Sequence, residues 1–220
     1  MKVVVFGATG MIGQGVLREC LVDPRVTEVL TVGRKATGQG HAKLREIVPA
    51  DLYDLSTVED QLTGVKACFF CLGVSSAGMS GADYRRVTYE LTIAAAKTLA
   101  RLNAGMTFVY VSGAGTDANG RSMWSQVKGK TESDLLAMDL DGYMFRPGYI
   151  HPSHGEKSRT RLYAALYVVA KPLYPLLKRL APNAVTTTED IARAMINLAV
   201  SGTEKKILHP KDINSAALPL

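Results

Sequence analysis

Cysteine and tryptophan are scarce in this chain, and long apolar runs are missing. Its 220 residues include 3 cysteines and 1 tryptophan. An odd, small number of cysteines does not suit the disulfide framework of a secreted domain. No stretch has the uninterrupted apolar length of a membrane-spanning helix, and no signal-peptide pattern follows Met1. These absences predict a cytoplasmic protein that folds around its own core.

Strong charge of one sign is also missing. The 26 basic and 20 acidic residues give a formal net charge of +6, and hydrophobic residues make up 47% of the chain. This mild positive charge suits anionic ligands such as phosphates, but without a local basic cluster or a recognition motif it does not indicate nucleic acid. We therefore expect a single folded domain over residues 1–220 with a small-molecule partner; the sequence does not indicate an oligomeric state.

The C-x-x-C pair Cys68 and Cys71 could suggest a redox or metal site. The pair lies in an apolar run, 65–72, that is typical of a buried strand. Residues three apart on a strand point to opposite faces, which makes a disulfide or shared metal ligation difficult. We predict that both thiols pack in the core, and we predict no metal site.

Short apolar runs alternate with longer helical patterns, as in β-α-β units. We predict strands at Lys2–Phe6, Glu28–Val32, Leu44–Val48, Ala67–Leu72, Thr107–Ser112 and Tyr143–Arg146. We predict helices near Ile12–Leu21, Thr57–Leu62, Ala82–Leu102, Ser122–Met138 and Glu189–Val200, the last with Thr186 or Thr187 as its N-cap. With right-handed crossovers, this pattern predicts an α/β protein with a doubly wound parallel sheet, the Rossmann fold.

A glycine-rich loop connects the first predicted strand to the first predicted helix. Gly7 permits a tight turn, Gly10 lets the backbone approach phosphates, and Gly13 lets the helix pack close to the strand. The positive end of a helix dipole and its free N–H groups suit a pyrophosphate. The loop therefore predicts a dinucleotide site formed by Gly7, Thr9, Gly10, Met11, Ile12 and Gly13.

The end of the second predicted strand carries two cations and no carboxylate. An NAD site usually places an acidic residue here to accept a hydrogen bond from the ribose 2′-hydroxyl. Arg34 and Lys35 suit a 2′-phosphate instead. The sequence thus favours NADP over NAD.

Together these residues resemble the short-chain dehydrogenase/reductase superfamily, in particular its extended and atypical members related to epimerases and NmrA-like proteins. The resemblance covers about residues 1–150, and the final helix matches less well. It implies that Asp51 and Leu52 line the adenine and that the loop Leu72, Gly73, Val74 passes the ribose. It also implies that the segment Pro147, Gly148, Tyr149, Ile150 lies beside the nicotinamide.

The resemblance implies a catalytic Ser112, but it departs from the family at the Tyr-x-x-x-Lys motif. Trp124 stands at the tyrosine position and Lys128 at the lysine position. Lys128 is implied to hold the nicotinamide ribose, whereas an indole N–H cannot release and recover a proton near neutral pH. Trp124 either forms a wall of the pocket or packs as a core or interface aromatic. The proton source stays open, with Tyr149, Tyr84 and Tyr89 as candidates.

Residues 149–185 differ in composition from the rest of the chain, since they are rich in tyrosine, leucine and basic residues with interspersed prolines. The resemblance implies a small helical substrate lobe here, and its apolar character suggests a substrate with a hydrophobic part. Residues 157–180 alternatively suit a basic amphipathic segment in contact with a membrane, which the kinking prolines disfavour.

Three functional hypotheses follow from the sequence. The favoured one is an NADP-dependent oxidoreductase or an epimerase/dehydratase-like enzyme acting on a small molecule. The second is a non-catalytic NADP sensor or interaction protein, which the missing tyrosine motivates. The third is a peripheral membrane-associated protein.

Overall fold

The chain forms a seven-stranded parallel sheet with helices on both faces. This computed structural model describes residues 1–156, 179 and 184–219. The strand order is β3-β2-β1-β4-β5-β6-β9, and every neighbouring pair is parallel. The predicted doubly wound parallel sheet is confirmed. The strands are β1 (Lys2–Phe6), β2 (Glu28–Val32), β3 (Leu44–Ile47), β4 (Ala67–Phe70), β5 (Thr107–Val111), β6 (Asp141–Phe145) and β9 (Ile207–Leu208).

Helices cover both faces of the sheet because its central strands are apolar on both sides. The helical segments are α1 (Met11–Val22), a 3-10 helix (Ser56–Leu62), α2 (Gly81–Arg85), α3 (Leu91–Leu102), α4 (Met123–Leu136), α5 (Thr188–Ser201) and α6 (Pro210–Ala216). One core cluster lies under α1 and α5, and the other lies under α3 and α4. Cys68 belongs to the second cluster and Cys71 packs against the first, which confirms the prediction that they point to opposite faces. Burial raises the pKa of the Cys71 thiol to about 12.

The predicted long helix Ala82–Leu102 is divided into three parts. A π turn over Arg86–Glu90 separates α2 from α3. A π turn adds one residue to a helical turn and leaves the apolar spacing on either side nearly intact. The prediction of one continuous helix was therefore wrong at this point.

Two short strands that the sequence analysis missed form a second, two-stranded parallel sheet. They are β7 (Tyr149–His151) and β8 (Val185–Thr187), and β8 leads directly into α5. The hydroxyl of Thr187 accepts a hydrogen bond from Asp190 N at 2.9 Å, which confirms Thr187 as the N-cap. Strand β9 and helix α6 were also not predicted.

The interior of the predicted substrate lobe, together with the amphipathic segment 157–180, lies almost entirely outside the described residues, which include only 149–156, 179 and 184–185 of this region. The lobe therefore stays a prediction. No helix within the described ranges has the length and apolar character to cross a membrane.

Candidate functional site

The candidate site lies at the carboxyl ends of β1 and β4, where the strand order of the sheet reverses. Chain connections leave these neighbouring strands toward opposite sides of the sheet, which opens a crevice between their loops. Ligands of open α/β sheets bind in this position. The structure brings the predicted phosphate loop and the predicted ribose loop together here.

Two glycines of the phosphate loop are required by close backbone packing. Gly7 has φ +78°, and a Cβ there would lie 2.6 Å from Leu72 N in the loop after β4. A Cβ at Gly13 would overlap the carbonyl oxygen of Gly7. A Cβ at Gly10, in contrast, would meet only this same oxygen, at 3.4 Å. Gly7 and Gly13 thus shape the turn, and Gly10 leaves space beside it.

The head of α1 presents backbone donors to the crevice. Gly10 is the N-cap, no side chain caps this end, and the first turn contains no acidic residue. Gly10 N donates to Gly7 O at 2.9 Å, and the Gln14 side chain holds the Thr9 carbonyl at 3.0 Å. The N–H groups of Met11 and Ile12 begin the helix at its positive end. This geometry suits an anion.

Arg34 and Lys35 are exposed immediately after β2. Glu46 on β3 accepts hydrogen bonds from the backbone N–H and the hydroxyl of Thr37, the latter at 3.0 Å, and so fixes the far end of this loop. Both cations are therefore held at the carboxyl end of the sheet with their side chains in solvent.

The two predicted adenine residues differ in exposure. Asp51 is exposed and accepts a hydrogen bond from Tyr53 N at 2.9 Å, whereas Leu52 is buried. In the predicted ribose loop, Leu72 is half-buried, Gly73 has open space around it, and Val74 is 39% exposed. An exposed valine beside an open glycine leaves apolar surface for a ligand.

The segment beside the predicted nicotinamide position joins three parts of the chain. The Pro147 carbonyl accepts a hydrogen bond from Ala114 N at 2.9 Å, in the loop after β5. A Cβ at Gly148 would lie 2.6 Å from Ala184 O, just before β8. Tyr149 and Ile150 continue into β7. Gly148 therefore permits the two sheets to meet.

Ser112 lies directly after β5, but its hydroxyl does not face open space. The side chain is buried, and its Oγ donates to Glu132 Oε1 at 2.5 Å and contacts the Phe145 carbonyl at 3.0 Å. Glu132 pairs in turn with Arg146, whose Nε lies 3.0 Å from Oε1 and whose Nη2 lies 2.5 Å from Oε2. This network was not predicted from the sequence, although Lys128 and Glu132 have the i,i+4 spacing that indicates a shared helix face.

Lys128 on α4 also contacts Ser112. Its ammonium donates to the Ser112 carbonyl. Burial lowers the pKa of Lys128 to about 8, and the nearby Glu132 carboxylate opposes that shift. Lys128 thus titrates much closer to neutral pH than a free lysine does.

Trp124 lies in the first turn of α4, at the carboxyl end of the sheet. It is half-buried, and its Cη2 would lie 3.2 Å from a Cβ at Gly115. The indole therefore packs against the glycine-rich loop after β5. Lys128 lies one helical turn deeper, about 6 Å along the axis.

Two of the three candidate proton donors, Tyr84 and Tyr89, are buried or already hydrogen-bonded to another side chain. Tyr84 is buried at 2% exposure. The Tyr89 hydroxyl donates to Asp134 Oδ2 at 2.5 Å, and this hydrogen bond raises the pKa of Tyr89. Tyr149 is half-buried at the start of β7.

A cluster of charged groups that sequence analysis missed connects α1, α5 and the loop after β7. Potential metal-ligand atoms of Glu19, His154 and Glu189 lie within 4.8 Å of one another. Both carboxylates already pair with arginines, since Glu19 contacts Arg18 and Arg193, and Glu189 lies 2.5 Å from Arg193. Arg193 thus joins the two helices by ion pairs, and the loop is attached to them by a contact between His154 Nε2 and Glu189 Oε2 at 3.2 Å.

The family model described as the NAD dependent epimerase/dehydratase family matches residues 3–132. The chain belongs to this family, which confirms the resemblance seen in the sequence. Solved structures with the same fold include a UDP-glucose 4-epimerase, with a TM-score of 0.72 at 17% identity over 98% of this chain and 80% of that one. MoeE5 in complex with UDP-glucose and NAD has a TM-score of 0.68 at 17% identity, covering 99% of this chain and 81% of that one.

Curated relatives include Protein FMP52-2, mitochondrial, of Scheffersomyces stipitis, which is 29% identical over 89% of this chain and 85% of its own length. Protein fmp52-1, mitochondrial, of Aspergillus terreus is 28% identical over 92% of this chain and 89% of its own length. Because these relatives are named mitochondrial, they contradict the predicted cytoplasmic location. The prediction had relied on the lack of a secretory signal, which argues only against secretion.

Proposed function

We propose that this member of the epimerase/dehydratase family binds NADP and acts as an oxidoreductase, or as an epimerase/dehydratase-like enzyme, on a small molecule with an apolar part. The uncapped head of α1 behind the Gly7–Gly13 turn carries this proposal. The N-terminus of α1 lies where the strand order reverses between β1 and β4, and the positive end of the helix dipole there suits a pyrophosphate. The family description and the NAD complex of MoeE5 support a nicotinamide nucleotide as the ligand.

The preference for NADP rests on charge after β2. Arg34 and Lys35 are exposed there, and the chain carries no acidic residue at positions 33–36. A guanidinium forms bidentate hydrogen bonds with a phosphate, and a lysine adds a point charge. In this proposal the two residues hold the 2′-phosphate.

Lys128, Trp124 and Ser112 have distinct proposed roles near the nicotinamide. Lys128 holds the ribose with its ammonium, and Trp124 forms one wall of the substrate pocket. Ser112 supports both by linking β5 to the Glu132–Arg146 pair.

Calorimetry with NADPH and NADH tests the proposal. We expect the native protein to bind NADPH more tightly, and we expect the double variant Arg34→Ala/Lys35→Ala to lose about 10- to 100-fold in NADPH affinity. Binding of NADH should change little. A matched double variant, Lys66→Ala/Lys97→Ala, removes two exposed charges elsewhere and should leave both affinities unchanged. A folded native protein that binds neither nucleotide contradicts the proposal.

A non-catalytic NADP sensor is the second candidate, and the position of Trp124 favours it. The indole replaces the tyrosine that transfers a proton in the short-chain dehydrogenase/reductase superfamily. The Ser112 hydroxyl is already hydrogen-bonded to Glu132. Turnover of NADPH by the native protein with any acceptor excludes a purely non-catalytic role.

A further inference from the structure

The loop after β5 offers a ligand almost no side chains. Gly113 has φ +116° with open space around its Cβ position, and Ala114 is exposed. Gly115 has φ +82° and adjoins the Trp124 ring. Because β4 and β5 are neighbours, the loop that contains the exposed Val74 lies beside this one. The indole, the small residues and the valine leave an apolar surface with little relief, which suits a flat ring.

Among the described residues of this surface, none presents an acidic side chain to a substrate, and the hydroxyl oxygen of Tyr149, the candidate donor that remains, is buried. Among residues 112–115, the only side chain with a polar hydrogen is that of Ser112, which donates to Glu132. The Trp124 indole does not ionise near neutral pH. The ammonium of Lys128, one turn deeper on α4, donates to the Ser112 carbonyl.

The lack of such a donor restricts the reactions that are favourable here. Hydride transfer to an isolated ketone produces a strongly basic alkoxide, so it needs a positioned acid in the transition state. Hydride transfer to a quinone produces a delocalised, weakly basic phenolate, which takes its proton from water afterwards. The second reaction requires only that the planar acceptor be held against the hydride donor.

We propose that the substrate of this site is a planar quinone that stacks on the indole of Trp124 and receives a hydride without help from an acidic side chain. This inference rests on the proposed function. The quinone gains one hydride, which is a proton with two electrons, from the reduced nicotinamide nucleotide. That nucleotide is oxidised, and the resulting hydroquinone anion takes one proton from water.

Matched acceptors test the inference. We would measure NADPH oxidation with 2,3-dimethyl-1,4-naphthoquinone and with 2,2-dimethyl-1-tetralone, a ketone of similar size. The methylated quinone cannot undergo thiol addition at its ring positions, so adducts with cysteine do not confuse the result. We expect kcat/KM to favour the quinone by about 100-fold or more, since a positioned acid contributes about that factor to ketone reduction. Equal rates for the two acceptors, or a preference for the ketone, overturn the inference.

Variants of Trp124 separate stacking from acid catalysis. Trp124→Ala should weaken quinone binding to the NADP-saturated protein about tenfold in calorimetry, and Trp124→Phe should stay within about threefold of the native protein. Trp124→Tyr restores a phenol one turn from Lys128 and should raise ketone reduction by about 10-fold or more. Unchanged quinone affinity in Trp124→Ala contradicts the stacking.

The experiments distinguish the two proposals. Tight NADPH binding without a quinone preference rejects the planar acceptor and leaves the proposed nucleotide site in place. Failure to bind NADPH rejects both.

Discussion

Two parts of the sheet, called here after their proposed roles, are organised by different kinds of contact: the nucleotide side at the Gly7–Gly13 turn after β1, and the reaction side at the ends of β5 and β6. On the nucleotide side, the turn Gly7–Gly13 is shaped by backbone atoms that approach one another where side chains are missing. On the reaction side, the ends of β5 and β6 are joined by the buried side chains of Ser112 and Glu132 and by the half-buried Arg146. The first arrangement depends on small residues close in sequence, and the second depends on charges brought together from three elements.

This contrast separates stability from binding. A buried ion pair contributes little over an apolar replacement, but removing one partner leaves an uncompensated charge. A glycine in a phosphate loop, in contrast, has both a structural and a ligand-binding reason to be small. Substitutions on the two sides should therefore affect different measurements.

The largest effect should come from Glu132→Gln on the reaction side. Glu132 is 3% exposed and pairs with Arg146, so its loss should lower the free energy of unfolding by about 3 kcal/mol. Urea denaturation measures this change. The matched variant Glu90→Gln breaks an exposed pair with Arg85 and should cost less than about 0.5 kcal/mol. Equal costs for the two variants would remove the contrast between the buried network and the surface.

The next largest effect should come from Gly13→Ala on the nucleotide side. The new methyl group would overlap Gly7 O, so we expect a loss of about 2 kcal/mol in stability from backbone displacement. NADPH affinity should fall as well, and this loss of affinity should be larger than the loss of NADPH affinity in the Glu132→Gln variant. Gly40→Ala is the control, because a Cβ there meets nothing within 4 Å. Unaltered NADPH binding by a folded Gly13→Ala protein would count against the phosphate loop.

A smaller effect should distinguish Gly115 from Gly78, a glycine of similar φ in the loop after β4. Gly115 and Gly78 both have positive φ, 82° and 77°, so replacing either with alanine should cost about 1–2 kcal/mol. Only the alanine at position 115 would press on the Trp124 ring. We therefore expect a shift in tryptophan emission for Gly115→Ala and none for Gly78→Ala. Matching emission spectra would show that the indole does not pack where the structure has it.

Per pH unit, the smallest effect should be the slope of stability against pH that Lys128 contributes. Its pKa of about 8 in the folded protein lies below the value of about 10.4 in the unfolded chain. Between these values the unfolded chain binds more protons, so stability rises with pH, by at most about 1.4 kcal/mol per pH unit for one proton. Urea midpoints from pH 8 to 10 should rise more in the native protein than in Lys128→Met. Parallel curves would place the lysine in a solvated position.

Local patterns were enough to predict much of the nucleotide side. The strand, glycine turn and helix over residues 2–22 are contiguous, and each needs only its own apolar spacing and glycines. The family resemblance needed more of the chain, about residues 1–150, and the family model matches residues 3–132. The divided helix around Arg86–Glu90 and the short strands β7, β8 and β9 were not predicted, because their signals are weak or depend on partners far along the chain.

The sequence by itself determined the six strands β1 to β6, their parallel arrangement and the tryptophan at position 124, since these follow from apolar periodicity, the alternation of strands with helices and residue identity. Only the tertiary structure decided what the Ser112 hydroxyl does. Its partner Glu132 lies 20 residues away, and Arg146 lies 14 residues beyond Glu132. Hydrogen bonds between such distant side chains depend on how β5, α4 and β6 pack, and one-dimensional spacing does not encode that packing.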